Sequence, residues 1–252
     1  MQNVPGDYYR RLSEVDRLHW WHRGMRAVAR RLLRDSVARG GALLDAGCGT
    51  GGFLAWAAST RRFDRLCGVD ISVEAVELAR TVAPGAELYA APLDALPFGD
   101  EEFDLVVSLD VLQHVHERVL DASLAELRRV LCPGGVLLVR TNGARRAQPE
   151  RGDWRLYDPV TLAGDLERAG LTVRRITYAN ALPSLAAAAR GRSPRAPTAT
   201  LSGVPRPQRG LRAAVGRGLL ELEALLLAVP GARVPYGHTL FALAERPDEA
   251  AA

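Results

Sequence analysis

A chain of 252 residues with 48% hydrophobic content is long enough to bury one sizeable α/β core. Its 33 basic residues, all arginine, exceed the 29 acids by only four charges, and no consecutive basic block marks a nucleic-acid-binding arm. Cys48, Cys67 and Cys132 form no Cys-x-x-Cys pair, and neither an apolar leader nor a membrane-spanning run is present, which predicts a cytoplasmic protein with reduced thiols.

Residues 7–39 carry Leu12, Val15, Leu18, Val28, Leu32 and Leu33 at helical spacing and predict helix, broken near Gly24. GALLDAG (41–47) ends a first strand and FLAWAAST (53–60) is a helix. RLCGVD (65–70) is a second strand closing on an acid, followed by the helix ISVEAVELARTV (71–82), with Glu74 near its positive end. AELYAA (86–91) is a third strand. DLVVSLD (104–110) is a fourth, apolar on both faces as a central parallel strand requires. LDASLAELRRVL (120–131) is an amphipathic helix halted by Cys132-Pro133-Gly134-Gly135, and GVLLVRT (135–141) is a fifth strand.

Asp158 and Pro159 cap and open a helix that Gly170 closes, and LTVRRITY (171–178) is a sixth strand. Residues 190–210, with four Pro, five Arg and no acid, read as loop. In 211–229, Leu211, Val215, Leu219, Leu222, Leu226 and Val229 make one helical stripe, predicted to cover the core. HTLFALAER (238–246) is the last strand. This alternation predicts a doubly wound α/β sheet with helices on both faces.

Between the first strand and its helix lies DAGCGTGG (45–52), which satisfies two patterns. Gly47, Gly49 and Gly52 fit G-x-G-x-x-G, the dinucleotide fingerprint; Gly47, Gly49 and Gly51 fit G-x-G-x-G with Asp45 two residues upstream. Both use glycines to let backbone approach a ligand at a strand-to-helix turn. The turn by itself does not choose between them.

Three further stretches do. GVD (68–70), LPFGDEEFDLVVSLDVLQHV (96–115) and LRRVLCPGGVLLV (127–139) follow the glycine turn at spacings that resemble the class I S-adenosylmethionine-dependent methyltransferases, over about residues 39–178 and the last strand. The segment YYRRLSEVDRLHWWHRGMR (8–26) is similar to a subgroup that begins with an HWWF-type sequence, with His22 where Phe is usual.

The resemblance implies a seven-stranded sheet, mostly parallel with a late antiparallel strand, in a single domain. Its parts are a helical cap (1–38), a cofactor-binding core (39–178), an insert able to form an acceptor lid (179–236), and the last strand and tail (237–252). It implies S-adenosylmethionine as cofactor. Gly47 and Gly49 lie along its methionine end, Asp45 faces its ammonium, and Asp70 accepts from the ribose hydroxyls. Ile71 packs on adenine, and the Leu109 backbone faces the amino-acid end. The family's Gly-Asp pair before LPF is replaced by Ala91-Pro92, so Asp94 and the Leu93 amide are the groups left for the adenine edge.

The implied reaction is methyl transfer to oxygen, nitrogen or carbon of a small-molecule acceptor, in secondary or cell-envelope metabolism. His114 is the candidate base, since cyclopropane-forming relatives carry a Glu-His pair at the positions of Gln113 and His114; the alternative is a histidine packed in its turn. His22, Trp20 and Trp21 are placed either to line the site or to fill the core. No metal is expected: Asp110 stands where catechol-type enzymes use an acid, but Thr141-Asn142 lacks the second. A cofactor-binding protein with non-methylating chemistry and a nicotinamide-dependent reductase remain as alternatives.

Overall fold

The computed structural model describes residues 8–34, 40–143, 155–189 and 210–248. The strands are β1 (Ala42–Ala46), β2 (Arg65–Asp70), β3 (Glu87–Ala90), β4 (Phe103–Leu109), β5 (Leu131–Asn142), β6 (Thr172–Ala179) and β7 (Thr239–Glu245). They form one sheet in the order β3-β2-β1-β4-β5-β7-β6. The first five pair in parallel, while β7 runs antiparallel to both β5 and β6. The expected doubly wound, mostly parallel seven-stranded sheet is therefore observed.

Because strand side chains alternate, the sheet has two apolar faces, and each is covered. Leu43, Leu105, Val107 and Leu138 face α2 (Trp20–Leu32), α3 (Gly52–Thr60), α4 (Val73–Val82) and α8 (Leu211–Leu227). Leu44, Val106, Leu137 and Val139 face α5 (Glu117–Arg129) and α6 (Pro159–Arg168). Asp158 caps α6 as its sequence position predicts, accepting from the N–H groups of Val160 and Thr161.

Several local expectations are corrected. The N-terminal helix breaks at His19, not at Gly24. His19 takes an extended conformation between α1 (Tyr8–Leu18) and α2, and its Nδ1 accepts from the Trp21 N–H at 3.2 Å. Gly24 sits inside α2 because Leu220 of α8 presses on it; Gly216 of α8 likewise receives Trp20. Glycine there serves close helix approach, which outweighs its cost of about 1 kcal/mol in a helix interior.

The stripe expected to bury α8 points the other way. Leu211, Val215, Leu222, Leu226 and Val229 are exposed, and the helix buries Ala213, Leu220, Glu223, Ala224 and Leu227 instead. Cys132-Pro133-Gly134-Gly135 does not precede β5 but lies within it, as a bulge where the pairing shifts from Phe103↔Leu131 to Leu105↔Val136. Helix α7 (Ala181–Ala188) was not foreseen; the buried Glu223 carboxylate accepts from the N–H groups of Asn180, Ala181 and Leu182 at its start. Nearly all of the Arg/Pro-rich 190–210 segment lies outside the described residues.

Candidate active site

β1 delivers Asp45 to the carboxyl edge of the sheet, 2% exposed. The chain then turns through Gly47, Gly49 and Gly51 at φ of 92°, 52° and 81°, a region that glycine enters without a Cβ penalty. The N–H groups of Gly47 and Cys48 both donate to the Val69 carbonyl at 2.8 Å. That of Gly49 donates to Asp70 Oδ2 at 2.9 Å. These amides are thus engaged within the turn itself. At Gly47 the space beside Cα is filled by Val111, which packs the turn after β4 onto it; beside Gly49 it is open.

Asp70 closes β2 and ties two turns together, since its Oδ1 also accepts from the Ser72 N–H at 2.9 Å. Ser72 itself caps α4, with its Oγ accepting from the Ala75 N–H at 3.2 Å. Burial raises the Asp70 pKa, opposed by these two N–H groups. The next side chain, Ile71, is 78% exposed and offers an apolar platform beside the carboxylate. The Ala91 N–H donates to the Asp70 carbonyl at 3.0 Å and the Ala95 N–H to the Pro92 carbonyl at 3.3 Å. Leu93 and Asp94 thus form the tip of a turn that starts beside Asp70, Leu93 half-buried and Asp94 exposed.

Carboxylates converge on this turn. Asp16 of α1 lies so close to Gly52 that any Cβ there would collide with it. Its Oδ1 is 3.1 Å from His22 Nδ1 and 3.2 Å from the Arg26 guanidinium. Burial works against its charge, yet the His22 hydrogen bond and the Arg26 and Arg140 charges hold Asp16 below the usual carboxylate pKa. Among the described residues Asp45 has no such partner. Burial first, then the charges of Asp16 and Asp70, push it up to about 8, with Arg140 opposing.

Leu109 ends β4 half-buried, and Asp110 follows with φ 62°, unusual for a side chain with a Cβ. The Arg140 guanidinium from β5 grips the Asp110 carboxylate at two points and stands 5.1 Å from the Trp21 ring centroid. Asp110 is thereby occupied by a cation, and among the described residues no group of three His, Cys, Asp or Glu is placed to hold a metal.

Gln113 is buried, its Oε1 accepting from Thr141 Oγ1 and the Asn142 N–H at 3.0 Å. His114 is exposed on the same short 3₁₀ turn, so the packed-histidine alternative does not hold. Three of the other four histidines are accounted for structurally. His19 and His116 cap helices, and His238 is buried with Nδ1 2.7 Å from Ser184 Oγ.

The sequence-based site residues therefore gather at one sheet edge: Asp45, Gly47, Gly49, Asp70, Ile71, Leu93 and Asp94 around the first two strand ends, Leu109 and His114 around the fourth. His22 and Trp21 join them through Asp16 and Arg140. Asp16 and Arg140 were not anticipated. Arg140 left a signal, a charge at the end of the apolar run GVLLV; Asp16 left none, being one acid in a polar helix.

Residues 44–139 match the family model described as a methyltransferase domain. The malonyl-[acyl-carrier protein] O-methyltransferase of Serratia marcescens is 37% identical over 136 residues, covering 53% of this chain and 51% of that protein. The chain spans about half the length of the curated relatives it matches. A chain of the complex containing the Haloferax volcanii Trm112 methyltransferase activator superposes with a TM-score of 0.62 at 22% identity, covering 95% of this chain and 94% of that one. Geranyl diphosphate C-methyltransferase of Streptomyces coelicolor, solved with S-adenosyl-L-homocysteine, gives 0.59 at 16% identity, covering 89% and 80%. With the acid-flanked glycine turn and the antiparallel β7 inserted beside β5, these matches identify residues 44–139 as a methyltransferase domain, in a fold similar to that of the class I S-adenosylmethionine-dependent methyltransferases.

Proposed function

We propose that the chain transfers the methyl group of S-adenosylmethionine to a small-molecule acceptor held over the carboxyl ends of β4 and β5, under α1 and α2. The observation that supports this best is the charge around the glycine turn. Asp16, Asp45 and Asp70 crowd there, and burial, with the charges of Asp16 and Asp70 added, raises the pKa of Asp45 to about 8. A cationic ligand relieves that crowding. A nicotinamide dinucleotide would set its pyrophosphate against the same carboxylates, so that alternative is not retained.

S-adenosylmethionine supplies a methyl group already activated on a sulfonium, and the chain's own part is binding and alignment. In this reading Asp45 takes the ammonium. Asp70, fixed by Gly49 and Ser72, turns its remaining lone pairs to the ribose hydroxyls. Ile71 covers the adenine face, Leu93 and Asp94 meet the adenine edge, and the Leu109 carbonyl faces the amino-acid end. Holding an acceptor in line is worth about 7–11 kcal/mol when alignment is good. Trp21, His22 and the Asp110–Arg140 pair wall the place where the acceptor sits, and His114 at its rim takes the proton of a hydroxyl or ammonium acceptor.

Calorimetry with S-adenosylmethionine and mass analysis of acceptor products test the reading. Binding that Asp70→Ala weakens by about 1.5–3 kcal/mol for each charge-assisted hydrogen bond lost, with a gain of one methylene unit in the acceptor, supports it. Binding with an unchanged or rearranged acceptor mass favours non-methylating chemistry. Affinity unaltered by Asp70→Ala removes the proposed ribose position.

A further inference from the structure

The solvent face of α8 is apolar where a surface helix is normally polar. Leu211, Val215, Leu222, Leu225, Leu226 and Val229 are each 44–80% exposed. At 100° per residue the five on the helix fall within a stripe about 100° wide, which runs for about 22 Å at 1.5 Å per residue, with Val229 just past the helix end. The opposite side of α8 is already committed to the core through Ala213, Leu220, Ala224 and Leu227. The stripe is thus surplus to folding.

Its surroundings are basic. The neighbouring helix α2, packed on α8 through Gly24 and Leu220, contains no acid between Trp20 and Leu32. Arg23 and Arg30 on it, and Arg34 just beyond, are exposed, as are Arg212 on α8 and Arg233 after it. The one exposed acid on these two helices is Glu221, and Arg217 pairs with it at 2.7 Å.

We infer that the α2–α8 layer docks on an anionic lipid bilayer, with the leucine stripe of α8 lying in the interface and the flanking arginines meeting lipid headgroups. Two signals that are weak singly, an apolar helix face and a cluster of cations, reinforce each other at such a surface. A second copy of the chain fits less well. The stripe offers roughly 300 Å², against about 800 Å² per partner in a stable dimer, and its arginine margins would face their own copies. No helix among the described residues is long and apolar enough to cross a membrane, so the contact is peripheral. This inference is independent of which acceptor is methylated.

Co-sedimentation of the full chain with vesicles tests it. Vesicles of phosphatidylcholine with about one third phosphatidylglycerol should pellet the protein at low salt, phosphatidylcholine alone should not, and raising the salt should release it. The double substitution Leu222→Glu and Leu226→Glu should lower the bound fraction about tenfold or more, and Leu222→Ser with Leu226→Ser should do the same in part. Both variants should keep the wild-type melting temperature and cofactor affinity, since neither side chain is buried or near the glycine turn. Failure to pellet with anionic vesicles overturns the inference, as does equal pelleting with neutral ones or undiminished binding of the variants. A concentration-dependent dimer in sedimentation equilibrium, dissolved by Leu222→Glu, would assign the stripe to a second copy instead.

Discussion

Asp110 and Arg140 face each other from the ends of β4 and β5 in a two-point ion pair, Nε to Oδ1 at 3.0 Å and NH2 to Oδ2 at 2.8 Å. The Arg140 backbone takes part too, its carbonyl accepting from the Asp110 N–H at 2.7 Å. Together these hold Asp110 at its left-handed φ, a conformation that persists only when its surroundings determine it.

Arg140→Met should lower stability by about 2–4 kcal/mol, somewhat below the cost of breaking a sealed pair because the Asp110 side chain is 29% exposed. Asp110→Asn should cost less than Asp110→Ala, by about 1 kcal/mol, because asparagine tolerates positive φ. Urea denaturation of the three variants checks the order. Equal losses for Asn and Ala would show that the backbone at this position carries no strain.

Asp45 provides a pH dependence of definite sign. Its pKa in the folded protein is about 8 against an ordinary 3.8, so the unliganded fold holds a proton that the unfolded chain has released. This group's contribution to unliganded stability should therefore fall as pH rises from about 4 to about 8 and level off beyond. A ligand ammonium requires the carboxylate, so affinity should rise with pH towards about 8, by up to about tenfold per unit, and decline again once the ligand's own amine loses its proton at about 8. Calorimetry in buffers of different ionisation enthalpy should detect proton release near pH 7. Asp45→Asn should bind weakly with no such slope.

The two glycines at the turn should respond differently. A Cβ at Gly47 would overlap the Val111 side chain at a φ of 92°, so Gly47→Ala should lose both stability and binding. At Gly49 the space is open and φ is 52°, for which an L residue pays about 1–2 kcal/mol. Gly49→Ala should remain folded and lose cofactor affinity disproportionately. Thermal unfolding beside calorimetric titration separates the two cases, and full-affinity binding by Gly49→Ala would move the ligand off this surface.

His114, being exposed, should be replaceable without structural cost. If it takes the acceptor's proton, His114→Ala lowers turnover by about 10²–10⁴-fold, with melting temperature and cofactor affinity unchanged, and the acidic limb of the pH–rate profile disappears. Turnover equal to wild type would mean that the acceptor arrives already deprotonated, as a carboxylate does.

What the sequence made legible is what is periodic or local. Alternating strands and helices, Asp158 as a cap and the glycine turn with its acids all depend on neighbours within a few residues. The misreadings occurred where a distant partner decides. Gly24 looks like a helix breaker until Leu220 is seen against it, and the α8 stripe looks like a core face until its opposite side proves to carry the contacts with α2. The same holds in the site. Asp70, Ile71 and the glycines follow from the motif, whereas Asp16 and Arg140 matter because α1 and β5 bring them to Asp45 from far along the chain.

The placement of β7 has a consequence for how the chain folds. The last strand among the described residues occupies an interior position, hydrogen-bonded to β5 along Val136–Asn142 and to β6 along Thr172–Ala179. Until Thr239–Glu245 has left the ribosome, β5 presents a long apolar open edge and β6 has no neighbour in the sheet. The nascent protein must therefore keep an unfinished sheet from pairing with other chains while about 100 residues after β5 are made, roughly 5–20 s at ordinary translation rates. The bulge at Gly134–Gly135 suits the closing step. There Gly134 donates to the Arg246 carbonyl and Arg246 donates back to that of Gly135, so the arriving strand is clamped at its far end as the register is completed.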